Sequence, residues 1–493
     1  MNPSIRSMIT SIGRLPPVRL LLLPLLLPLL LLHLLTAAVS IQAQDPTSLW
    51  VEGYTGQVSY QPGDDLSLHL SSTASVVGIE IARLGVQRET VTNFMRVPVK
   101  AYPVPDDASA NGCGWPVGHQ FKIPSHWRSG YYLVTLRVSD GGGSYSRRGR
   151  RTAEADCFFI LRPSEPGKNT SILLQLSSNT YNAYNNYGGL SLYSYNARGG
   201  AQGHRVSFLR PPASQFNNWE RPFVEWAEAQ GYTLDYCANQ DLEARPELLA
   251  KYRLVLSVGH DEYWSSKMRD HLEEYIGKGG NVAFFSGNTC CWQVRSEDNG
   301  SALTCWKQAF QFDPVYSAGD HRLLSTLWSH HLVGRPENQL TGVGFLWGGY
   351  HLSHGQFMEG KGAYTVHQPD HWIFQGTQLK RGDTFGGKDT IVGYECDGCE
   401  IRMENGLPVP TGNDGTPKTF SILGTCEAKW HPDDAYWYER FAKGRVGAAV
   451  LGTYTRGGTV VTSGATDWAH GLRGKDPIVE RITRNILDRL SRQ

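Results

Sequence analysis

Between Ser171 and Phe285 short apolar runs alternate with helical ones, and this alternation restricts the fold more than any other feature of the chain. Ile172 to Leu176 reads as a buried strand, Pro222 to Gln230 as a helix and Tyr232 to Cys237 as a strand. Leu242 to Tyr252 reads as a helix and Leu254 to Val258 as a strand. Ser265 is placed to cap a helix whose Met268, Leu272, Tyr275 and Ile276 recur at helical spacing, and Gly279-Gly280 stops it. Asn281 to Phe285 is the next strand. Strand-helix repetition of this kind builds a parallel sheet with right-handed crossovers. Such sheets bind ligands beyond the carboxyl ends of their strands.

That rule selects residues. The first strand runs into Thr180-Tyr181-Asn182-Ala183-Tyr184-Asn185-Asn186-Tyr187-Gly188-Gly189, a tyrosine-rich loop. The strand ending at Val258 runs into Gly259-His260-Asp261-Glu262-Tyr263-Trp264, and the one ending at Phe285 into Ser286-Gly287-Asn288-Thr289. A fourth strand, Thr390 to Tyr394, delivers Glu395. A carboxylate at 261 or 262 suits a metal or a base, and His260 suits a ligand or a proton carrier. One of the two acids also suits the N-terminus of the following helix. Tyrosine becomes a good ligand only to a strong Lewis acid that displaces its proton, typically ferric iron.

Ahead of this region the pattern is β. Asp65 to Leu70 alternates polar and apolar residues, Val77 to Ala82 has large apolar residues at every second position, and Tyr131 to Val138 ends in the same alternation; with turn signals between them, these runs suit a β-sandwich. Asp140 to Asp156 reads as an exposed hairpin loop. Pro477 to Leu490 reads as a closing helix. Met1 to Gln44 has the layout of a secretory signal: Arg6, Arg14 and Arg19, a leucine run broken by Pro24 and Pro28, then small residues. No later run is long and apolar enough to span a membrane, so no stable span is expected after processing.

The chain has 493 residues, a formal net charge of +1 and 19% charged residues. That balance excludes a nucleic-acid binder, which needs a basic face, and the aromatic content excludes a disordered chain. In an exported protein the nine cysteines read as disulfide formers, with Cys396 and Cys399 as a local pair. No nucleophile elbow, no phosphate loop and no H-E-x-x-H motif is present. His351 with His354 and His367 with His371 sit in loop sequence and read as packing or surface residues.

The run Thr180 to Asn185 with Gly188-Gly189, together with Ser257 to Ser265, Gly280 to Asn288, Val392 to Glu395 and Asp467 to Leu472, resembles the N,N-dimethylformamidase large (beta) subunit-like family. The resemblance covers roughly Ser48 to the end. It implies an immunoglobulin-like β-sandwich over 46–165 and a glutamine-amidotransferase-like parallel α/β domain over 168–493, behind the signal peptide of 1–44. It also implies a mononuclear iron amidohydrolase whose Fe(3+) is held by two tyrosines and a carboxylate. Carried over, Glu262 is the carboxylate, Tyr181 one tyrosine with Tyr184 as alternative, and Tyr132 the other with Tyr131 as alternative. His260, Asn288 and Glu395 match further active-site positions. A small amide is the implied substrate, a small partner subunit or a homo-oligomer the implied assembly, and a secreted or periplasmic location follows from the leader. Two other readings compete. One is an exported carbohydrate- or surface-binding protein with a degenerate site, using aromatic platforms such as Trp347 and Trp437. The other is a glutamine-amidotransferase-like module, which lacks a cysteine at the expected strand-to-helix turn.

Overall fold

The structure is a computed structural model and describes residues 48–140, 151–353, 356–358, 360–430 and 446–492. The leader, most of the Asp140–Asp156 loop, His354 and Trp437 lie outside these residues. Val39–Gln493 forms one compact unit.

Two sheets occupy its first part. Val51–Thr55, Asp65–Ser72 and Val117–Lys122 form one. Ser59–Tyr60, Thr152–Leu161, Gly130–Ser139, Val76–Leu84 and Arg88–Pro98, in that order, form the other. The period of two along each strand sends Leu66, Leu68, Leu70, Ile79, Ile81, Val134 and Leu136 into a shared core. The Thr152–Leu161 strand also takes up residues expected in the loop. The outer face of the five-stranded sheet is buried too. Leu84, Tyr131, Phe158 and Ile160 join the core of the following region, with Ile172, Tyr181 and Phe216. The two regions are thus successive in sequence but share apolar packing.

The second region is built on a mixed sheet. Asp235–Ala238, Ile172–Leu176, Leu254–His260, Asn281–Gly287 and Gly458–Thr462 are neighbours and parallel. Val446–Arg456, Ser421–Lys429, Gly344–Tyr350 and Glu395–Gly398 continue it antiparallel. The expected parallel sheet is therefore half of the observed one. Leu254, Leu256 and Val258 face one core and Val255 the other, so the helices lie on both faces. Ser265 accepts the Met268 N–H at 3.2 Å and starts Ser266–Gly277. Asp476 accepts the Ile478 and Val479 N–H groups and starts Pro477–Leu490.

Three local expectations change. Leu242 to Tyr252 is a helix Asn239–Ala244 followed by a 3-10 turn Pro246–Lys251, because Pro246 has no N–H to continue the ladder. The tyrosine loop begins as a helix, Ser178–Tyr184. Thr390 to Tyr394 is not a strand, since Thr390 takes a positive φ of 51°. Glu395 instead opens the strand Glu395–Gly398, where its carbonyl accepts the Thr466 N–H at 3.1 Å.

No described helix is long and apolar enough to cross a membrane. All nine cysteines are free and buried, so the expected Cys396–Cys399 disulfide is absent. Cys396 faces one core of the sheet and Cys399 the other, as an odd spacing along extended chain requires.

Candidate functional site

The chain leaves the Leu254–His260 strand through Gly259, whose φ is +79° and whose absent Cβ would lie 2.2 Å from Trp219 Cβ. This turn sends Asp261 and Glu262 in different directions. Asp261 points into the sheet end and accepts from Gln175 Nε2 at 2.7 Å, Ser257 Oγ at 2.8 Å and Asn239 Nδ2 at 3.3 Å. It ties strand ends together. Glu262 points into a cavity of about 330 Å³ lined among others by Tyr184, Tyr193, Asn288, Lys307 and Glu395. Wider clefts elsewhere, such as one of about 890 Å³ beside His351 and Cys426, gather no comparable set of acids and phenols.

Glu262 is buried, and its carboxylate is the centre of an oxygen-rich cluster. Oε1 accepts from Trp292 Nε1 at 2.7 Å and Tyr193 Oη at 2.8 Å. Oε2 lies 2.9 Å from Tyr193 Oη and 3.1 Å from Tyr184 Oη. The Tyr193 oxygen is also 2.8 Å from Tyr184 Oη and 2.7 Å from Tyr263 Oη. A hydroxyl has one proton and two lone pairs. Four oxygens crowd this one, more than it can satisfy as a phenol. Burial, then the charge of Glu262, pushes Tyr184, Tyr193 and Tyr263 well above the ordinary phenol range. Burial opposes the Glu262 charge, but the His260 imidazole holds its carboxyl below the usual range. Hard oxygen donors converging without their protons' full complement of partners fit a strongly Lewis-acidic cation. Among the described residues no three His, Cys, Asp and Glu side chains form a metal cluster, so a metal here depends on the tyrosines.

His260 sits between the two acids. Its Nε2 is 2.7 Å from Glu395 Oε2 and 3.2 Å from Glu262 Oε2. Burial alone would push the imidazole down, yet Glu395 and Glu262 raise it to about 10. The ring is boxed edge-on by Tyr184, Trp219 and Tyr394 at centroid distances of 5.5, 5.4 and 5.7 Å. Asp467 holds two of these: it accepts from Trp219 Nε1 and from the Tyr394 N–H, both at 2.8 Å. The shared ending Asp467 to Leu472 therefore acts on the site through its first residue. Asn288 follows the Asn281–Gly287 strand with φ +50° and lines the cavity, its Oδ1 buried without a partner.

Of the residues selected from sequence, Glu262, His260, Asn288 and Glu395 are brought together. Tyr132 and Tyr181 are not. Tyr132 belongs to the inward face of Gly130–Ser139, stacks between Trp127 and Phe159, and donates to the Arg128 carbonyl at 2.6 Å. Its neighbour Tyr131 stacks on Phe216 and donates to Ser214. Tyr181 faces the core and donates to Glu220. The phenols at Glu262 are Tyr184, the alternative already weighed, and Tyr193, which was not selected. Tyr263, Trp292 and Lys307 were also missed. The Lys307 ammonium lies 3.2 Å from the Tyr193 ring centroid, and burial lowers it to about 8. Arg210 secures the loop: its buried guanidinium donates to the Ser207 and Asn185 carbonyls at 2.8 and 2.9 Å and to that of Tyr187. Trp347 is half-buried beside an aromatic cluster and offers no open platform. Trp437 lies outside the described residues.

Residues 78–482 match the model of the family described as N,N-dimethylformamidase beta subunit-like, C-terminal. The N,N-dimethylformamidase beta subunits of Alcaligenes sp and Paracoccus aminophilus are each 25% identical to this chain. Both alignments cover 76% of this chain and 54% of the relative, so the chain spans about half the length of the curated relatives it matches. Among solved structures, the sporulation control protein Spo0M of Bacillus subtilis covers 25% of this chain and 52% of its own at 11% identity. Its TM-score of 0.17 carries no fold argument. With the matched span containing every residue of the Glu262 cluster, the chain belongs to the N,N-dimethylformamidase beta subunit-like family.

Proposed function

We propose that this protein is an iron-dependent amidohydrolase that cleaves the C–N bond of a small amide. The observation that carries the reading is the convergence of Tyr184, Tyr193 and Glu262 beside the His260–Glu395 pair at one cavity. Tyr184, Tyr193 and Glu262 would hold Fe(3+), in place of the Tyr132 and Tyr181 set. When bound, the ion supplies Lewis-acid polarisation of a carbonyl and acidifies water.

The remaining work falls to side chains. Glu395 Oε2, without an aligned hydrogen bond, takes a proton from the attacking water. His260, protonated between two carboxylates, gives a proton to the departing amine nitrogen. Water oxygen bonds the carbonyl carbon as Glu395 takes its proton, and collapse of the tetrahedral oxyanion then breaks the C–N bond as the nitrogen takes the proton from His260, yielding a carboxylic acid and an amine. The Asn288 carboxamide orients the substrate amide and stabilises the oxyanion. Phe345, Tyr350 and Trp430 provide an apolar wall that limits water.

The two-sheet region supports an immunoglobulin-like reading, and the parallel half of the mixed sheet a glutamine-amidotransferase-like one. Relatives named as beta subunits support a partner subunit. Export rests on the leader sequence alone. The test is iron analysis with a visible spectrum, then a screen of small amides. About one iron per chain, a phenolate-to-iron band, and turnover lost in Glu395→Gln with the band kept would support the reading. No iron and no band after reconstitution would sink it.

A further inference from the structure

Asn288 is the one non-glycine residue among the proposed catalytic side chains that holds a left-handed backbone, with φ +50°. Non-glycine residues rarely adopt this conformation, and here the surroundings hold it. The enforcing contact is specific. Asp397 Oδ1 accepts the Asn288 N–H at 2.9 Å, and Oδ2 accepts the Thr289 N–H at 3.0 Å. Asp397 is 1% exposed, and its own N–H donates to the Gly464 carbonyl at 2.9 Å. The turn is wedged from behind as well. A Cβ at Gly287 would lie 2.4 Å from the Glu395 carbonyl and 2.5 Å from the Thr466 nitrogen.

We propose that Asp397 is a positioning residue for Asn288: its carboxylate clamps two successive backbone N–H groups so that the Asn288 carboxamide faces the cavity in register with Glu395. This rests on the amidohydrolase reading above. Asp397 and Glu395 are two residues apart on Glu395–Gly398, so they share a face of one extended segment. One short strand thereby sets the proton acceptor and, through the turn, the group opposite it. Both carboxylate oxygens of Asp397 are used by the clamp. A carboxamide of the same shape has only one acceptor oxygen, and its NH₂ would face a second donor.

The test compares Asp397→Asn, Asn288→Ala and the double variant as iron-loaded full-length protein. Asp397→Asn should keep the iron content and the visible band. It should lower kcat about ten-fold or more with KM changed less than about three-fold, as a misplaced group does. In the Asn288→Ala background it should cost less than about two-fold. A crystal structure of Asp397→Asn should show Asn288 out of the left-handed region or its carboxamide turned from the cavity. If Asn288→Ala lowers kcat while Asp397→Asn does not, the clamp is refuted and the amidohydrolase reading stands. Additive losses, or an unmoved Asn288 in the crystal, also refute it. If Asn288→Ala itself has no effect on turnover, the role given to Asn288 fails first, and the crystal structure alone decides the clamp. Should Asp397→Asn fail to fold, Asp397→Glu keeps the charge but displaces the clamp by one methylene, and the same readouts apply.

Discussion

The hydroxyl oxygen of Tyr193 lies 2.8 Å from one carboxylate oxygen of Glu262 and 2.9 Å from the other. Tyr184 reaches the second of these oxygens at 3.1 Å. Tyr132 and Tyr181 spend their hydroxyls on the Arg128 carbonyl and on Glu220. Tyr184→Phe and Tyr193→Phe should each weaken iron binding at least ~10-fold and shift or abolish the phenolate band. Tyr132→Phe should keep the band and cost about 1 kcal/mol of stability through its lost hydrogen bond. Tyr181→Phe should also keep the band. Iron titrations of the four variants decide between the two ligand sets.

The sequence around Tyr131 and Tyr132 does not report which way each side chain faces. Tyr131 and Tyr132 are adjacent on a strand, so they face opposite sides. The run Tyr132, Val134, Leu136, Val138 already marks the inward face. Because the other side is covered as well, Tyr131 to Val134 does not alternate with polar residues, and the direction of the two tyrosines was hidden. Glu262, His260 and Asn288 were legible because the ends of parallel strands follow from local periodicity. Glu395 was selected as the end of a strand, Thr390 to Tyr394, that is a turn, and it reaches the cavity by opening the strand Glu395–Gly398 instead. Tyr193 lies in an irregular segment, Trp292 opens the short strand Trp292–Glu297 and Lys307 opens the 3-10 turn Lys307–Phe312, and none of the three carries a periodicity that reports its direction. Only tertiary contact brings them to Glu262.

Gly259 gives a sharp test of how the site is built. Its φ of +79° strains any other residue, and a Cβ would meet Trp219 Cβ at 2.2 Å and Cγ at 2.8 Å. Trp219 packs on His260, so the disturbance reaches the site. Gly259→Ala should destabilise the protein by about 3 kcal/mol or more in urea unfolding. Gly277→Ala is the control, since its Cβ would meet nothing within 4 Å and its substitution should be neutral or slightly stabilising. Equal effects at the two positions would show that the close approach at Gly259 is relieved cheaply.

A buried acid away from the cluster sets a pH dependence. Glu337 is 1% exposed, its Oε2 has no partner, and burial raises its carboxyl to about 8, with Asp397 adding to the rise. The unfolded chain releases this proton near the ordinary glutamate value of ~4.3, whereas the folded chain keeps it to about pH 8. Between those values the native state binds more protons, so this group lowers stability as pH rises and levels off above pH 8. Glu337→Gln removes the proton release. Its stability relative to the parent should therefore grow from pH 5 to pH 8, by roughly 3 to 4 kcal/mol. Thermal melts of both proteins across that range measure it. A constant difference would mean that Glu337 titrates normally in the native state.

The cysteines make the last prediction, and it separates the leader from the folded chain. A secretory signal brings an expectation of disulfides, yet the nine thiols are free and buried in different cores. Burial pushes the Cys396, Cys399 and Cys290 thiols upward, so thiolate, the reactive form, is scarce. Native protein should react slowly with a thiol reagent, and denatured, unreduced protein should show nine thiols per chain. The melting temperature should not move on adding reductant, because no loop is closed by a disulfide in the native state. A count of seven or fewer after denaturation without reductant would instead reveal a disulfide in the native protein.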